Sequence, residues 1–312
     1  MNKDALNALK FKYMKIRWSD MMNEGIINDI LRVKNPRWRT SITRVEPNRI
    51  VTRGYSQEDL IGGVSFSEMV YLLIRGELPP QNVARMLEAV LVSFCDHGVT
   101  PPSTQAARMI ASAGSPVHAC IAGGLLAFGK NHAGAIERSM KLFQETVSSC
   151  ESEDEIPDAA LRLVDDHLQA NRRIPGFGHR YHNADPRAVR LLELAEDYGC
   201  VGPHTSLALE VQEILLERKG VRMNVDGANA GILSDMGFDW RTGAGVFMIG
   251  RLPGLISHVY EEKVREPAFR KFFEIEEIQY DGEEKRILEA DYRTLNGSEI
   301  WKTTNTKEPG RE

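Results

Sequence analysis

The run Arg172-Arg173-Ile174-Pro175-Gly176-Phe177-Gly178-His179-Arg180-Tyr181-His182-Asn183-Ala184-Asp185-Pro186-Arg187 gathers four arginines, two histidines and two glycines around one turn. An imidazole such as His179 moves a proton near neutral pH. Arg180 and Arg187 offer planar forks that match carboxylate or phosphate groups. Gly176 and Gly178 let backbone pass close to a ligand where a Cβ would clash. That inventory suits an anionic substrate handled by acid–base chemistry. Asp96-His97-Gly98 and Gly129-Lys130-Asn131-His132-Ala133-Gly134-Ala135 each bring another imidazole to the end of an expected helix. Asn224-Val225-Asp226-Gly227-Ala228-Asn229 sets a carboxylate among small residues. Buried there, it would keep its proton to higher pH and could act as a base near neutrality. Arg251 is a lone charge within Phe247-Met248-Ile249-Gly250-Arg251-Leu252-Pro253-Gly254.

Each residue also has an ordinary reading. His97 and His132 can cap helices, Asp226 can be a turn or N-cap residue, and Arg251 can be half of a structural ion pair. His118, His167, His204 and His258 read as structural or surface histidines. Three look-alikes fail on their chemistry. Gly176-Phe177-Gly178 has Tyr181 where a dinucleotide fingerprint needs its third glycine. Gly124-Leu125-Leu126-Ala127-Phe128-Gly129-Lys130-Asn131 puts an amide where a phosphate-binding loop needs a hydroxyl for magnesium, and it reads as a helix body. His179, His182 and Asp185 imitate a metal site, but the surrounding arginines repel cations, so no metal is expected.

The elements that must position these groups are mostly helical. Ser65 and Glu68 form a capping box before Phe66–Arg75, which Gly76 and Pro79-Pro80 close. Val83, Met86, Leu87, Val90, Leu91 and Phe94 make one apolar stripe that ends at Asp96-His97-Gly98. Pro101-Pro102 prevent that helix from continuing. Ser115 is the expected cap of a helix from Pro116 to about Phe128, whose small apolar middle suggests a crowded bundle. Further helices are expected over Ala135–Val147, Pro157–Gln169, Pro186–Tyr198 with Asp185 as N-cap, and Thr205–Lys219 up to Gly220. A last one, Phe247–Glu262, is expected to be partly broken at Pro253-Gly254. Arg44–Val51 with Arg53-Gly54-Tyr55 read as a short hairpin-like piece, and the tail after about Tyr292 is polar. The chain is therefore mainly α.

Composition bounds the function. With 312 residues, 42% hydrophobic and 27% charged, the chain can bury a substantial core. A net charge of −5 supplies no global field for nucleic acid or membrane surfaces. The first residues lack a secretory pattern, and no apolar run reaches the roughly 18–20 residues of a membrane span. Four scattered cysteines, with no C-x-x-C pair, argue against a disulfide framework and a structural zinc site. A cytoplasmic setting is the expectation.

Taken together, these segments resemble the citrate synthase superfamily, which includes citryl-CoA lyase and the C-terminal module of ATP-citrate lyase. The resemblance runs from about Trp38 to Gly282. It rests on Trp38-Arg39-Thr40-Ser41-Ile42-Thr43, Arg53-Gly54-Tyr55, Tyr71-Leu72-Leu73-Ile74-Arg75-Gly76-Glu77-Leu78-Pro79, the Gly-Phe-Gly-His-Arg run with the following Asp-Pro-Arg-Ala, and the order His97, His132, His179, Arg187, Asp226, Arg251. It implies a multi-helical citrate synthase-like fold with a large and a small domain around a cleft. The large domain would comprise residues 1–133 and 227–312, the latter including the tail, and the small one residues 134–226. The subunits would pair as a homodimer.

By that resemblance Asp226 moves the methyl proton of acetyl-CoA, His132 donates to the thioester oxygen, and His179 serves the oxaloacetate carbonyl or the citryl hydroxyl. His97, Arg187 and Arg251 bind the dicarboxylate. Arg265 and Arg270 are candidates for an arginine lent across the dimer, and Gly176, Phe177, Gly178 and Arg180 are expected to meet coenzyme A. No cofactor is permanently bound; the coenzyme A thioester is a substrate, and neither nucleic acid nor membrane is a partner. Lys130-Asn131 before His132, Gly227 after Asp226, Asp96-His97-Gly98 and the short chain resemble the lyase branch more than the synthases. The expected activity is cleavage of citryl-CoA to acetyl-CoA and oxaloacetate. The alternatives are citrate or 2-methylcitrate synthesis and a non-catalytic CoA-binding subunit.

Overall fold

The computed structural model of the chain describes residues 38–179, 183–271 and 273–286. Described residues up to Ala268 form one compact unit, and those from Phe269 onward form a second. The first unit begins with a three-stranded antiparallel sheet, β1 (Thr43–Glu46), β2 (Arg49–Thr52) and β3 (Tyr55–Ser56), in the order β1-β2-β3. Thr43 faces Thr52 across the first ladder, and Thr52 faces Tyr55 across the second. Eleven α-helices follow: α1 (Gln57–Leu60), α2 (Phe66–Arg75), α3 (Gln81–Phe94), α4 (Pro102–Ser112), α5 (Val117–Leu126), α6 (Gly134–Ser148), α7 (Ile156–Gln169), α8 (Pro186–Asp197), α9 (Pro203–Lys219), α10 (Val225–Asp235) and α11 (Gly243–Arg265).

Local chemistry explains most of these boundaries. Ser65 accepts from the Glu68 N–H while the Glu68 side chain takes the Ser65 N–H, so the capping box before α2 is complete, and Gly76 ends the helix in the left-handed region. Asp185 and Asn224 cap α8 and α10 through their side chains, and Gly220 closes α9 at φ 67°. The apolar stripe of α3 is buried as its spacing requires: Met86, Leu87, Val90 and Phe94 are fully covered. Burial of each such side chain favours the fold by roughly 1.5–3 kcal/mol. With Ile136, Met140 and Phe143 of α6, Leu207 and Val211 of α9, and Ile232 and Leu233 of α10, they form the main core.

The structure departs from the sequence reading at four places. Pro101-Pro102 do more than stop α3: Pro101 is the N-cap of α4 and Pro102 its first residue, where a missing N–H costs nothing. Pro116, not Ser115, is the N-cap of α5, and no side chain caps that helix. Within α5 only Cys120 and Gly124 are buried, so its small-residue body is not enclosed inside this subunit. The segment 225–235, read only for its carboxylate, is a helix, and α11 runs unbroken through Pro253-Gly254.

The continuity of α11 has a packing cause. An interior proline costs about 3 kcal/mol in a helix. Against that, Gly250 and Gly254 let α11 lie directly on the end of α3: a Cβ at Gly250 would stand 2.7 Å from the Leu91 carbonyl oxygen, and one at Gly254 would stand 2.1 Å from that of Cys95. Leu255 and Val259 are fully buried in a second, smaller core with Ala107 and Ala111 of α4 and Cys120 of α5.

One buried ion cluster locks α4 to α11. Arg108 bonds Glu262 at 2.6 Å through Nε and Glu261 at 2.9 Å through Nη1, with Arg108 and Glu262 both buried. Arg108→Ala would remove the guanidinium bonded to the buried Glu262, and breaking a buried pair from one side costs about 3–5 kcal/mol. A drop of that size in urea-unfolding stability is expected; a change below about 1 kcal/mol would contradict the buried pairing.

The second unit contains a short 3₁₀ turn, Ile275–Glu277, whose Glu274 and Glu277 bond reciprocally as a capping box. Among the described residues no helix is long and apolar enough to cross a membrane.

Candidate active site

A cleft of about 690 Å³ opens in the first unit where six segments converge. The turn after α3 contributes His97, and the loop before α6 contributes Lys130, Asn131 and His132. The loop 173–179 contributes Gly176, Phe177, Gly178 and His179. The starts of α8 and α10 bring Arg187 and Asp226, and the middle of α11 brings Arg251. The six chemically active residues singled out in sequence order, scattered over some 150 positions, thus line one cavity.

Asp226 occupies the first turn of α10. Asn224 precedes it as N-cap, its Oδ1 accepting from the N–H groups of Asp226 (2.9 Å) and Gly227 (3.2 Å). The helix N-terminus favours a carboxylate, yet the group is pushed up to about 6 because burial outweighs the opposing charges of Arg187 and Arg251, with Asp185 adding to the rise. The residue is part-exposed through the cleft, but Oδ1 is buried and has no hydrogen-bond partner. A buried oxygen that nothing donates to is poised to receive a proton.

His132 projects from a tight loop. Gly129 and His132 exchange backbone bonds of 2.8 and 3.0 Å, Ala133 adopts φ 61°, and a Cβ at Gly134 would lie 2.6 Å from the Gly129 oxygen. Nε2 lies 2.8 Å from the hydroxyl of Ser103, a fully buried residue of α4, and the ring meets Phe128 edge-on with centroids 5.0 Å apart. The direction of this bond follows the ring tautomer: where Ser103 donates, the ring proton rests on Nδ1. Arg138 spans the same loop, its Nε on the Gly134 carbonyl (2.8 Å) and its Nη2 on that of Lys130 (3.0 Å).

Arg187 is already half used. Its Nε and Nη2 bind both oxygens of Asp185 at 3.0 and 2.9 Å. Asp185 also accepts from the N–H of Arg187 (3.1 Å) and of Val225 (3.0 Å). Burial alone would raise the Asp185 carboxyl, but Arg187 and those N–H groups hold it below the usual carboxylate range. The end-on edge of Arg187, Nη1 with the second proton of Nη2, is what a substrate carboxylate can use; the Nε–Nη2 edge is taken by Asp185. Asp185 thereby ties Arg187 to the start of the helix that carries Asp226.

His97 and His179 face each other across the cleft with ring centroids 5.7 Å apart. Burial, reinforced by the charges of Arg187 and Arg251, lowers the His97 pKa and favours its neutral ring. Arg251 is 3% exposed, donates from Nε to the Phe94 carbonyl at 2.6 Å, and lies over the Phe247 ring at 5.0 Å. Its buried Nη1 has no hydrogen-bond partner. Burial pulls this guanidinium below its ordinary pKa.

Gly176 and Gly178 have a structural reason that the sequence reading did not include. Both take positive φ, 86° and 84°. The loop is sewn to the approach of α10: Gly178 N–H donates to the Arg222 carbonyl (2.8 Å), and Asn224 N–H donates to that of Gly176 (3.0 Å). Asn224 Nδ2 donates to the Gly178 carbonyl (2.7 Å), and Phe177 bridges Met223. A Cβ on Gly227 would stand 2.4 Å from the Gly176 oxygen, so glycine after Asp226 is required for this approach.

Arg180 lies outside the described residues. Arg265 sits on the exposed end of α11, paired with Glu261, and does not line the cleft; Arg270 belongs to the second unit. Sequence reasoning passed over Ser103 and Arg138, counted Arg173 only within the arginine-rich run, and used Asp185 as a cap and in a rejected metal set. Ser103 carried no signal beyond its place after a proline pair; Arg138 sits six residues after His132, in the first turns of an expected helix.

A helical chain that closes a cleft around a proton-poised carboxylate, three imidazoles and two guanidiniums is built for acid–base work on an anionic substrate. The family model for the C-terminal domain of citrate synthase matches residues 79–271. The chain belongs to the citrate synthase family of enzymes. The structure of citryl-CoA lyase from Hydrogenobacter thermophilus is similar at 43% identity and a TM-score of 0.76, covering 83% of this chain and 100% of that one. Citrate synthase from Heyndrickxia coagulans is 28% identical over 66% of this chain and 55% of its own length. Citrate/2-methylcitrate synthase from Bacillus subtilis (strain 168) is 29% identical over the same shares, 66% and 55%. The chain thus spans about half the length of the curated relatives it matches.

Proposed function

We propose that the protein cleaves citryl-CoA to acetyl-CoA and oxaloacetate. The observation that carries the acid–base assignment is Asp226, which lines the cleft with His132 and His179 and whose Oδ1 is buried without a hydrogen-bond partner. The cleavage direction is supported by the 43% identity to a citryl-CoA lyase matched over its whole length. The citrate synthase and 2-methylcitrate synthase relatives support condensation as the second reading.

In cleavage, His179 accepts the proton of the citryl hydroxyl. The oxygen's electron pair forms the carbonyl of oxaloacetate as the carbon–carbon bond breaks, and the bonding pair passes to the thioester enolate. His132 donates a hydrogen bond to the enolate oxygen, the charge stabilisation on which such carbanions depend. Protonated Asp226 delivers its proton to the enolate carbon and completes acetyl-CoA. A carboxyl titrating near 6 can hold that proton; an ordinary one, near 4, is ionised at neutral pH. His97, the free edge of Arg187, and Arg251 grip the substrate carboxylates, so that the reacting carbons are aligned. Condensation runs the same steps in reverse, with Asp226 as the base.

Gly176, Phe177, Gly178 and Arg180 are assigned to coenzyme A, which enters as part of the substrate; no resident cofactor or metal is invoked. A second copy is proposed to cover the outward faces of the mutually packed helices α4, α5 and α11, where Met109, Val117, Leu126 and Tyr260 are exposed, Leu126 by 84%. Either Arg265 or Arg270 would then reach a neighbouring cleft, and residues 134–226 would move as the smaller domain.

Given citryl-CoA, and separately acetyl-CoA with oxaloacetate, the protein is expected to release oxaloacetate from the first without net citrate. Free CoA appearing with citrate would favour the synthase. Silence in both assays, with CoA binding unchanged in Asp226→Ala, would favour a non-catalytic subunit. Gly227→Ala tests the loop contact: the added methyl must push Gly176 off α10, and misplacement of about 1 Å near the chemistry costs on the order of 10²-fold. A loss of that order in kcat/KM with an intact far-UV spectrum is expected; full activity would contradict it.

A further inference from the structure

His258 lies on α11, seven residues beyond Arg251, and takes no part in the chemistry above. Its Nε2 is 2.9 Å from Asp96 Oδ1. The other oxygen of Asp96 accepts from the Gly98 N–H at 3.1 Å, and Gly98 takes φ 68°. One carboxylate therefore closes a turn over His97, with its own backbone on one side and Gly98 on the other. Nothing bulky separates α11 from this turn, because the neighbouring position is Gly254, where a Cβ would be 2.1 Å from the Cys95 oxygen and 3.2 Å from Asp96 Oδ1.

α11 thus holds the end of α3 and the turn after it. Arg251 Nε donates to the Phe94 carbonyl, and His258 Nε2 donates to the Asp96 carboxylate. Burial would raise Asp96, but the Gly98 N–H and His258 hold it below the usual range, so it stays an acceptor through neutral pH. The other ring nitrogen of His258 is buried without a hydrogen-bond partner, 3.8 Å from Glu261. Glu261 in turn is engaged by Arg108 and Arg265.

We infer that His258 and Asp96 are a positioning pair for His97, and that together they set the affinity of the cleft for the dicarboxylate end of the substrate. This rests on the assignment of His97 to that end. A pair that merely holds helices together would weaken stability and leave the balance of substrate affinities alone. A positioning pair shifts affinity for the dicarboxylate and spares the thioester.

The test uses the full chain with His258→Ala, His258→Gln, Asp96→Ala and the His258→Ala/Asp96→Ala double variant, titrated with oxaloacetate and with acetyl-CoA by calorimetry. His258→Ala should weaken oxaloacetate about tenfold, the scale of one charge-assisted hydrogen bond, with acetyl-CoA affinity unchanged and kcat within about threefold. Glutamine places an N–H donor where Nε2 stood and should restore most of the loss. The double variant should be no worse than either single one, since both remove the same link. Unchanged oxaloacetate affinity, a parallel loss for acetyl-CoA, no rescue by glutamine, or additive losses would each overturn the inference. If the wild-type chain fails to bind oxaloacetate, the proposed function fails instead. The pair is then judged by histidine-ring NMR, where the His97 signal must move in His258→Ala and return in His258→Gln; a stationary signal overturns the pairing.

Discussion

Asp226→Asn is expected to abolish carbon–carbon chemistry while making the protein more stable at neutral pH. An amide has the same shape but neither accepts nor delivers the proton, and a positioned acid or base contributes about 10²–10⁴-fold. Because the reaction also leaves an unprotonated enolate with no other donor assigned to its carbon, the loss in kcat should lie at the upper end of that range. The stability effect has a definite sign. The folded carboxyl titrates at about 6 against 3.8 for the free group, so below pH 4 both states hold the proton and Asp226 carries no penalty. Between pH 4 and 6 the unfolded chain gives up this proton while the folded carboxyl keeps it, so stability falls across that window and levels off above it. Two pKa units correspond to about 3 kcal/mol, to order of magnitude. Melting temperature measured from pH 4 to 8 should therefore decline for the wild type relative to Asp226→Asn, with the gap opening between pH 4 and 6. Parallel curves would show that the carboxyl is not buried as described.

Arg251→Met should show the same opposition between binding and stability. The guanidinium is 3% exposed, and its Nη1 is buried without a partner, so the ligand-free protein bears a desolvated donor. Arg187 adds like charge and Phe247 covers one face. Replacing a buried charge with an apolar side chain of similar volume is often neutral or stabilising. Substrate binding, in contrast, loses a charge-assisted bond worth about 1.5–3 kcal/mol, so KM should rise roughly 10- to 100-fold. Oxaloacetate should raise the melting temperature of the wild type but not of Arg251→Met. Arg251→Lys keeps the charge without the fork and should recover only part of the affinity. An oxaloacetate-induced shift that persists in Arg251→Met would remove this residue from the site.

These two residues also show where the sequence was legible. Asp226 and Arg251 stand out because each is a charge in apolar or small-residue surroundings, and such a pattern is informative wherever burial follows. Local pattern made α2 and α8 readable from their caps, α3 from its apolar stripe, and the end of α9 from Gly220. What local pattern could not give was contact between distant segments. α10 is buried on nearly all sides, so its residues carry no amphipathic period. The continuity of α11 depends on the Leu91 and Cys95 carbonyls, more than 150 residues away in sequence, accepting Gly250 and Gly254 at close range. Ser103 against His132 and Asp185 against Val225 are likewise tertiary facts. Gly227 is the instructive case: as a departure from the synthase pattern it looked like a marker of lineage, and the structure gives it a mechanical cause in the Gly176 backbone.

Cleavage of citryl-CoA in deuterium oxide, followed by mass spectrometry of the products, bears most directly on the central claim. Oxaloacetate and acetyl-CoA should appear in equal amounts, the acetyl group carrying one deuterium delivered through Asp226, and neither should form with Asp226→Asn. Free CoA and citrate without oxaloacetate, or deuterated acetyl-CoA formed undiminished by Asp226→Asn, would contradict it.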